Sequence, residues 1–444
     1  MQYRRALVIA ALTLALPFAA GACASGPEPT PPPEEDLTAP TPPVTGVSPE
    51  DEAAVERLIK AEMPDLRVWI PLDDAAKAAR VEPALKKGEK LAHAPLVGPI
   101  GPTDAAVLAL VEVEGGPSRL AGFLLVPGDG GDRRVDLPEL DASQLHQVEW
   151  VAFDNVDEDR AWEIVVRSTH MTGVGPEGAV PYDAVVVVDW DGEKTQRVAD
   201  AEKALEGVVD PKQARVRLQR RSFETARKSG RFVGPCEMAV GDWVTRYSYD
   251  SYGRIVREEA GKELRVHRYD EAGLLVETTT TFEDSAPVVT RYTTDARGLV
   301  VVSRRVVDYG EDGGPMLVAG VNTYDARGRL VKEASIDASG ANHVTYAWDG
   351  QRLVGSDHDY PDSDEFCSPT PPVKHEEDAQ GRIIRQEFRD TPELCEGQRD
   401  ETWRYDAAGN LVEHRVKSLD GNEDSVTTFD YGCWTKSVPD APTP

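Results

Sequence analysis

Tyr249-Asp250-Ser251-Tyr252-Gly253-Arg254-Ile255-Val256 is one copy of a pattern that returns as Tyr324-Asp325-Ala326-Arg327-Gly328-Arg329-Leu330-Val331 and as Tyr405-Asp406-Ala407-Ala408-Gly409-Asn410-Leu411-Val412. Weaker copies surround Asp270 and Gly273, Asp295 and Gly298, Asp349 and Gly350, and Asp378 and Gly381, giving seven copies with glycines about 20 to 31 residues apart. A motif returning at such spacing marks a repeat architecture. In each copy Asp can accept a hydrogen bond from the backbone N–H two residues on, and Gly supplies the positive φ that closes a short turn. Residues suited to a pleated surface flank the first turn: Thr245, Tyr247 and Tyr249 before it, Ile255 and Val256 after it. Second turn signals fall between copies, at Ala260-Gly261, Asp337 to Gly340 and Asp420-Gly421. The expected unit is therefore a β-hairpin, and seven of them predict a meander of roughly fourteen strands in one long twisted sheet. One hairpin cannot cover its own aromatic face, so neighbours must stack beside it.

The Tyr-Asp-x-x-Gly-Arg-Leu pattern resembles the YD repeats of Rhs-like proteins, over about residues 243 to 434. Large members of that family wind into a closed shell around a C-terminal toxin, whereas this chain has seven copies and ends about ten residues after Trp434. Thr294 and Glu377 replace the tyrosine in the third and sixth copies, and Trp348-Asp349-Gly350 in the fifth is short enough for a two-residue turn. The resemblance therefore implies an open or partly curled antiparallel sheet.

At the N-terminus, Arg4 and Arg5 precede an apolar stretch from Ala6 to Phe18 and the small-residue site Ala20-Gly21-Ala22-Cys23. Residues 1–22 read as an export signal. Its Gly-Ala-Cys end resembles a lipobox, which implies lipid on Cys23; cleavage by ordinary signal peptidase, giving a secreted chain, is the alternative. Residues 23–48 form a tether whose prolines keep it extended. Ala24 after Cys23 resembles the outer-membrane sorting pattern, facing either the periplasm or the cell surface. With Cys23 lipidated, four cysteines remain for two disulfides in an oxidising compartment. Of the three connectivities, Cys367 with Cys395 fits their places in insertions flanking the sixth copy, leaving Cys236 with Cys433. That second pair spans the whole repeat region and requires the sheet to curl.

The formal net charge is −29, and −31 once Arg4 and Arg5 leave with the signal, so a nucleic acid partner is not expected. Residues 208–235 run against this balance as a basic helical connector. Over residues 211–231 Lys212, Arg215, Arg217, Arg220, Arg221, Arg227, Lys228 and Arg231 face Glu224 alone. It reads either as a contact for anionic surfaces or as a linker seated against the acidic body of its own protein. Residues 49–207 form a mixed α+β domain opened by a helix with Ser48 as N-cap and Val55, Leu58, Ile59 and Met63 as its buried stripe. Strands follow at Val107 to Val113, Leu120 to Val126, Trp162 to Val166 and Ala184 to Trp190. The fold class is thus mainly β, with this mixed domain ahead of the hairpin repeats at 236–434 and a tail at 435–444.

Two places carry oxygen or imidazole groups in suggestive order. Asn155, Asp157, Asp159 and Glu163 stand at positions 1, 3, 5 and 9 of a loop running into a strand, with Asp189-Trp190-Asp191-Gly192 nearby. The segment resembles the calcium loop of FG-GAP and VCBS-type repeats, making calcium the one candidate cofactor, although Glu158 and Arg160 replace the usual glycines. Asp357-His358-Asp359 and His375-Glu376-Glu377 are the other clusters. No Gly-x-Ser-x-Gly, His-Glu-x-x-His or phosphate loop is present. The residues point to a non-catalytic envelope lipoprotein binding carbohydrate or protein through strand faces rich in Tyr, Trp and Arg. The alternative is an envelope polymer hydrolase with its site in the first domain or the 357–376 insertion.

Overall fold

The computed structural model describes residues 47–435 apart from 102, 116–117, 155–161, 173–178, 284, 309–313, 338–339, 350–351, 360–371, 381, 390–397 and 420–423, with only the backbone given for 349, 352–359 and 435. The protein is mainly β, built on two antiparallel sheets that do not close.

The first sheet has ten strands: β1 (Ile70–Pro71), β2 (Glu89–Leu91), β3 (Leu96–Ile100), β4 (Thr103–Val113), β5 (Arg119–Val126), β6 (Arg133–Asp136), β7 (Asp141–Asp154), β8 (Glu163–Met171), β9 (Pro181–Trp190) and β10 (Thr195–Arg197). Their order is β1-β3-β4-β5-β7-β8-β9-β10, with β2 on β4 and β6 on β5. The apolar runs of β4, β5, β8 and β9 are buried on both faces. Leu108, Leu110, Leu124, Ile164 and Val188 build one core, closed by the stacked rings of Trp69 and Phe153. On the other side Val107, Ala109 and Phe123 lie under the short helical turns at 74–84, which include α2 (Asp74–Ala76). Val165 and Val187 lie under α3 (Ala199–Ala204) and the first half of α4 (Pro211–Ser229).

The second sheet has sixteen strands: β11 (Glu237–Val240), β12 (Trp243–Tyr249), β13 (Ile255–Ala260), β14 (Glu263–Tyr269), β15 (Leu275–Phe282), β16 (Val288–Thr294), β17 (Val300–Asp308), β18 (Pro315–Tyr324), β19 (Leu330–Asp337), β20 (Gly340–Asp349), β21 (Arg352–Asp359), β22 (Lys374–Glu377), β23 (Ile383–Phe388), β24 (Arg399–Tyr405), β25 (Leu411–Ser418) and β26 (Ser425–Asp430). The seven motif copies supply fourteen of these strands as seven hairpins. The other two, β11 and β26, lie outside the copies and pair with each other, Glu237 opposite Asp430. The hairpin meander is as expected, with one addition: the first and last strands meet inside the sheet, and its edges are β21 and β22, which are consecutive in the chain. A flat sheet of this width would separate its edges by about 72 Å. The chain from Asp359 to Lys374 reaches at most about 54 Å, so the sheet is curled.

Each described turn is built by its aspartate. Asp325 Oδ1 accepts the N–H groups of Arg327 and Arg329, both at 2.9 Å. Gly328 donates to the Asp325 carbonyl at φ 74°, a left-handed conformation that a side chain would strain. The same double acceptance recurs at Asp250, Asp270, Asp295, Asp378 and Asp406. At the fifth copy Asp349 pairs with Arg352, which leaves the two-residue connection the sequence suggested.

Hairpins are then tied to one another by the tyrosine. Tyr269 donates its hydroxyl to the Ile255 carbonyl (2.8 Å), Tyr324 to Val300 (3.0 Å), Tyr405 to Ile383 (3.1 Å) and Tyr431 to Leu411 (3.0 Å), each acceptor opening the second strand of the preceding hairpin. The Trp348 indole makes the equivalent bond to Leu330 (2.8 Å). Arg254 and Arg382 pair with their own Asp250 and Asp378 and lie over the next copy's ring, Tyr269 at 4.6 Å and Tyr405 at 4.5 Å. Thr294 cannot make the bond, and at that copy the buried Arg297 reaches forward to the Asp325 carbonyl (2.5 Å).

α1 (Pro49–Glu62) is capped as its sequence predicts, Asp51 N–H donating to Ser48 Oγ (3.1 Å). Although it precedes the first sheet in the chain, its Val55 and Ile59 pack on Val302, Ala319 and Val321 of the second. Met63 is a correction to the expected stripe: it caps the helix C-terminus in an extended conformation and is exposed.

Cys236 and Cys433 form a disulfide, with Cα atoms 5.8 Å apart, between the residue before β11 and the short α5 (Gly432–Thr435) after β26. Phe223, Phe232, Tyr249, Tyr431 and Trp434 cluster around it, and Trp434 Nε1 donates to the Gly234 carbonyl (2.9 Å).

Candidate functional site

Strand alternation assigns side chains to faces. Ala319 and Val321 face α1, so Asn322 stands on the opposite side of the sheet, the side that carries the repeat tyrosines. Register then runs a belt of polar and aromatic residues across that face at one level: Tyr247 opposite Glu258, His267 opposite Thr278, Tyr292 opposite Ser303, Asn322 opposite Glu333, His375 opposite Gln386, and Trp403 opposite His414. The belt lies where the motif places no fixed residue, two positions before each copy's tyrosine and eight after its aspartate.

The groups hold one another. His267 sits between Glu258 Oε1 (3.0 Å) and Thr278 Oγ1 (2.9 Å). His414 bonds Glu401 (3.0 Å) and stacks on the Trp403 ring at 4.7 Å, while Arg399 donates to Glu401 (2.6 Å). His375 lies between Glu377 (2.8 Å) and Gln386 (3.0 Å), and Tyr346 donates to Glu333 (3.3 Å). Burial acts to raise Glu258, but the hydrogen bond and charge of His267, aided by Arg265, hold its carboxyl below the ordinary value. At Glu401 burial is likewise outweighed by His414 and Arg399. Burial pushes the Tyr247 phenol up to about 12. The face thus offers fixed donors, acceptors and aromatic surface without an excess of positive charge.

The remaining candidates divide by location. Cys23, Cys367, Cys395, Asn155, Asp157, Asp159, Gly350 and Gly381 lie outside the described residues, as do the side chains of Asp349 and His358. Glu163 is fully buried in β8 opposite Asp154. Near it, Asp189 accepts from Gln196 (2.8 Å) and Asp191 from the N–H groups of Glu193 and Lys194. Those oxygens serve the β9–β10 turn. Among the described residues no three His, Cys, Asp or Glu groups converge as a metal site. Asp270 and Gly273, Asp295 and Gly298, and the other described turn residues are engaged in the turns themselves.

The basic connector is α4, seated between the two sheets. Ala214 and Leu218 pack under the first sheet and Phe223 in the disulfide cluster. Asp210 caps it by accepting from Gln213 N–H (3.0 Å). Arg221 pairs with Asp200, Arg217 donates to the Glu206 carbonyl (2.7 Å), Arg215 bonds the Ala296 carbonyl, and Lys212 approaches Glu271 at 3.8 Å. Four of the connector's eight basic residues are thus directed at their own protein.

One constellation escaped the sequence reading. Ser168 Oγ lies 2.8 Å from His170 Nε2, and His170 Nδ1 is 3.8 Å from Asp141, which accepts from Tyr182 (3.0 Å). The signal was Ser-x-His on one strand, which puts both side chains on one face. Ser168 is 1% and His170 0% exposed, so no substrate reaches the hydroxyl, and the group closes one end of the first core with satisfied polar bonds. No helix among the described residues is long and apolar enough to cross a membrane.

No protein-family model matches the chain, and no curated protein matches it. Solved structures that match include a crystal structure of TcdB2-TccC3-TEV, at 13% identity and TM-score 0.21, and one of TcdB2-TccC3 without its hypervariable C-terminal region, at 14% and 0.20, each over 80% of this chain and 17% of theirs. Likeness this loose carries no argument about function, and this chain is a small fraction of the length of those it matches.

Proposed function

We propose that this protein is a non-catalytic binding protein whose Rhs-like YD-repeat sheet presents the polar and aromatic belt as its recognition surface, on a lipoprotein tethered through Cys23 to the outer membrane. The observation that supports this reading is the belt itself. Its histidines, carboxylates and aromatic rings stand in mutually bonded positions on the face α1 leaves uncovered, at places where the repeat needs no particular residue. Groups fixed before a ligand arrives lose little entropy on binding it.

Co-sedimentation of the purified chain with cell envelopes lacking it tests the binding half. His267→Ala combined with Trp403→Ala is expected to lower retention at least fivefold, and unchanged retention would move recognition off the belt. Proteinase K treatment of intact and osmotically lysed cells, read with an antibody to the repeats, tests location. Loss in intact cells puts the repeats on the surface and protection until lysis puts them in the periplasm. Cys23→Ala releasing the protein into soluble fractions is the expected result for the anchor.

A further inference from the structure

At the end of the same face away from the Tyr-Asp turns, two large rings stand open to solvent: Trp243 at the start of β12, 54% exposed, and Phe282 at the end of β15, 41% exposed. Trp243 shares its side of β12 with Tyr247, and Phe282 its side of β15 with Thr278, so both rings lie on the belt face. Three strand spacings, roughly 14 Å, separate them. Trp243 lies over the β13–β14 turn, where a Cβ added at Gly261 would come within 3.3 Å of the indole. Gly261 also has φ 59°. One side of the indole is therefore laid against backbone and the other is free.

Between the rings lies a polar strip. Glu263 stands opposite Phe282 and accepts from Arg265 Nε (2.6 Å), and Arg265 reaches Glu258 (3.4 Å). Lys262 pairs with Glu283. The strip leads directly into His267 and Thr278 of the belt. We infer that this rim is a subsite for a neutral glycan chain, with sugar rings stacked on Trp243 and Phe282 and their hydroxyls bonded along Glu263, Arg265 and the half-buried Thr280 opposite Arg265. The assignment rests on the binding reading above and names the ligand class. A hydroxyl both donates and accepts, which suits a strip of alternating carboxylate, guanidinium and hydroxyl groups. The strip's charges are paired and the chain carries −29 overall, so it offers no excess of cation to a polyanion. The two rings are divided by ion pairs and form no contiguous apolar centre, which is what a stable protein interface needs.

Affinity electrophoresis of the full chain decides it, in native gels containing a neutral glucan, a neutral mannan or anionic polygalacturonate. Retardation by at least one neutral polymer is expected. Trp243→Ala should weaken it at least fivefold and Phe282→Ala less, while Val289→Ala on the opposite face leaves it unchanged. Trp243 is exposed, so its replacement leaves the fold intact, which near-UV circular dichroism of the repeat sheet checks. Retardation only by polygalacturonate, or by a neutral polymer with Trp243→Ala unaffected, overturns the inference. A chain that sediments with envelopes through the belt yet ignores both neutral polymers also overturns it, while leaving the binding reading standing.

Discussion

The two sheets solve the same problem with opposite chemistry. In the first, strands such as β4 and β5 bury apolar residues on both faces, and stability comes from residues far apart in sequence packing into common cores. In the second, half-buried strands are held by a local device repeated along the chain: an aspartate that closes each turn and, at the second, fourth, fifth and seventh copies, a tyrosine or tryptophan that ties the hairpin to the one before. The first sheet can therefore vary its residues so long as volume and polarity are kept, whereas the second must repeat particular functional groups. Only the second was visible as a pattern.

Alkaline pH separates the two most sharply. Burial raises the phenols of Tyr249 and Tyr269, and pushes Tyr247 and Tyr431 up to about 12. A folded pKa above the unfolded value near 10 stabilises fully below pH 10 and is lost as pH rises to 12. The second sheet is expected to unfold in that window, with tyrosinate absorbance appearing together with loss of strand signal, while the first sheet, with Tyr182 as its one described tyrosine, persists. Titration of these phenols without unfolding would remove the tyrosine ties as a source of stability.

The disulfide comes next. It closes a loop of 197 residues, and the chain-entropy estimate for that length is about 5 kcal/mol. Cys236→Ser with Cys433→Ser should lower the second sheet's free energy of unfolding by that amount, measured by denaturant titration, and leave the first sheet's untouched. Equal shifts in both transitions would mean that α4 couples them into one unit.

Phe123→Ala, at a fully buried position of the first sheet, is expected to cost about 3–5 kcal/mol in the first transition. In the second sheet a comparable loss requires a polar residue: Asp295→Ala strands the buried Arg297 and should cost about 3 kcal/mol. If Asp295→Ala is neutral, the turn aspartates do not carry the second sheet. The smallest expected effect is Tyr324→Phe, which removes one inter-hairpin hydrogen bond while keeping the ring, at about 1 kcal/mol by urea unfolding.

Much of the second sheet was legible because its signals are local. Asp325 and Gly328 act within five residues of one another, and the hairpin follows from them alone. Even a departure was informative: Glu377 replaces tyrosine at the copy whose strand, β22, is an edge with no preceding hairpin to tie. Of the candidate site, the aromatic and charged character of the strand faces could be read, but the belt could not. It depends on which residue of one strand stands opposite which of the next. The Ser168, His170 and Asp141 group was missed for the same reason, since Asp141 comes from another strand.

The sequence by itself determined seven hairpins and their turns, because each is set by groups a few residues apart. The Cys236–Cys433 pair was also legible, from the placing of the other two cysteines, whereas only the tertiary structure decided that β11 and β26, which carry no motif, pair with each other inside the sheet. It alone decided that the break in the sheet falls between the fifth and sixth copies, and that α1 crosses to the far sheet. Those contacts join residues roughly 200 apart or more, where backbone hydrogen bonds and apolar faces fit many partners equally well, and the choice among them is made by the packing of the whole chain.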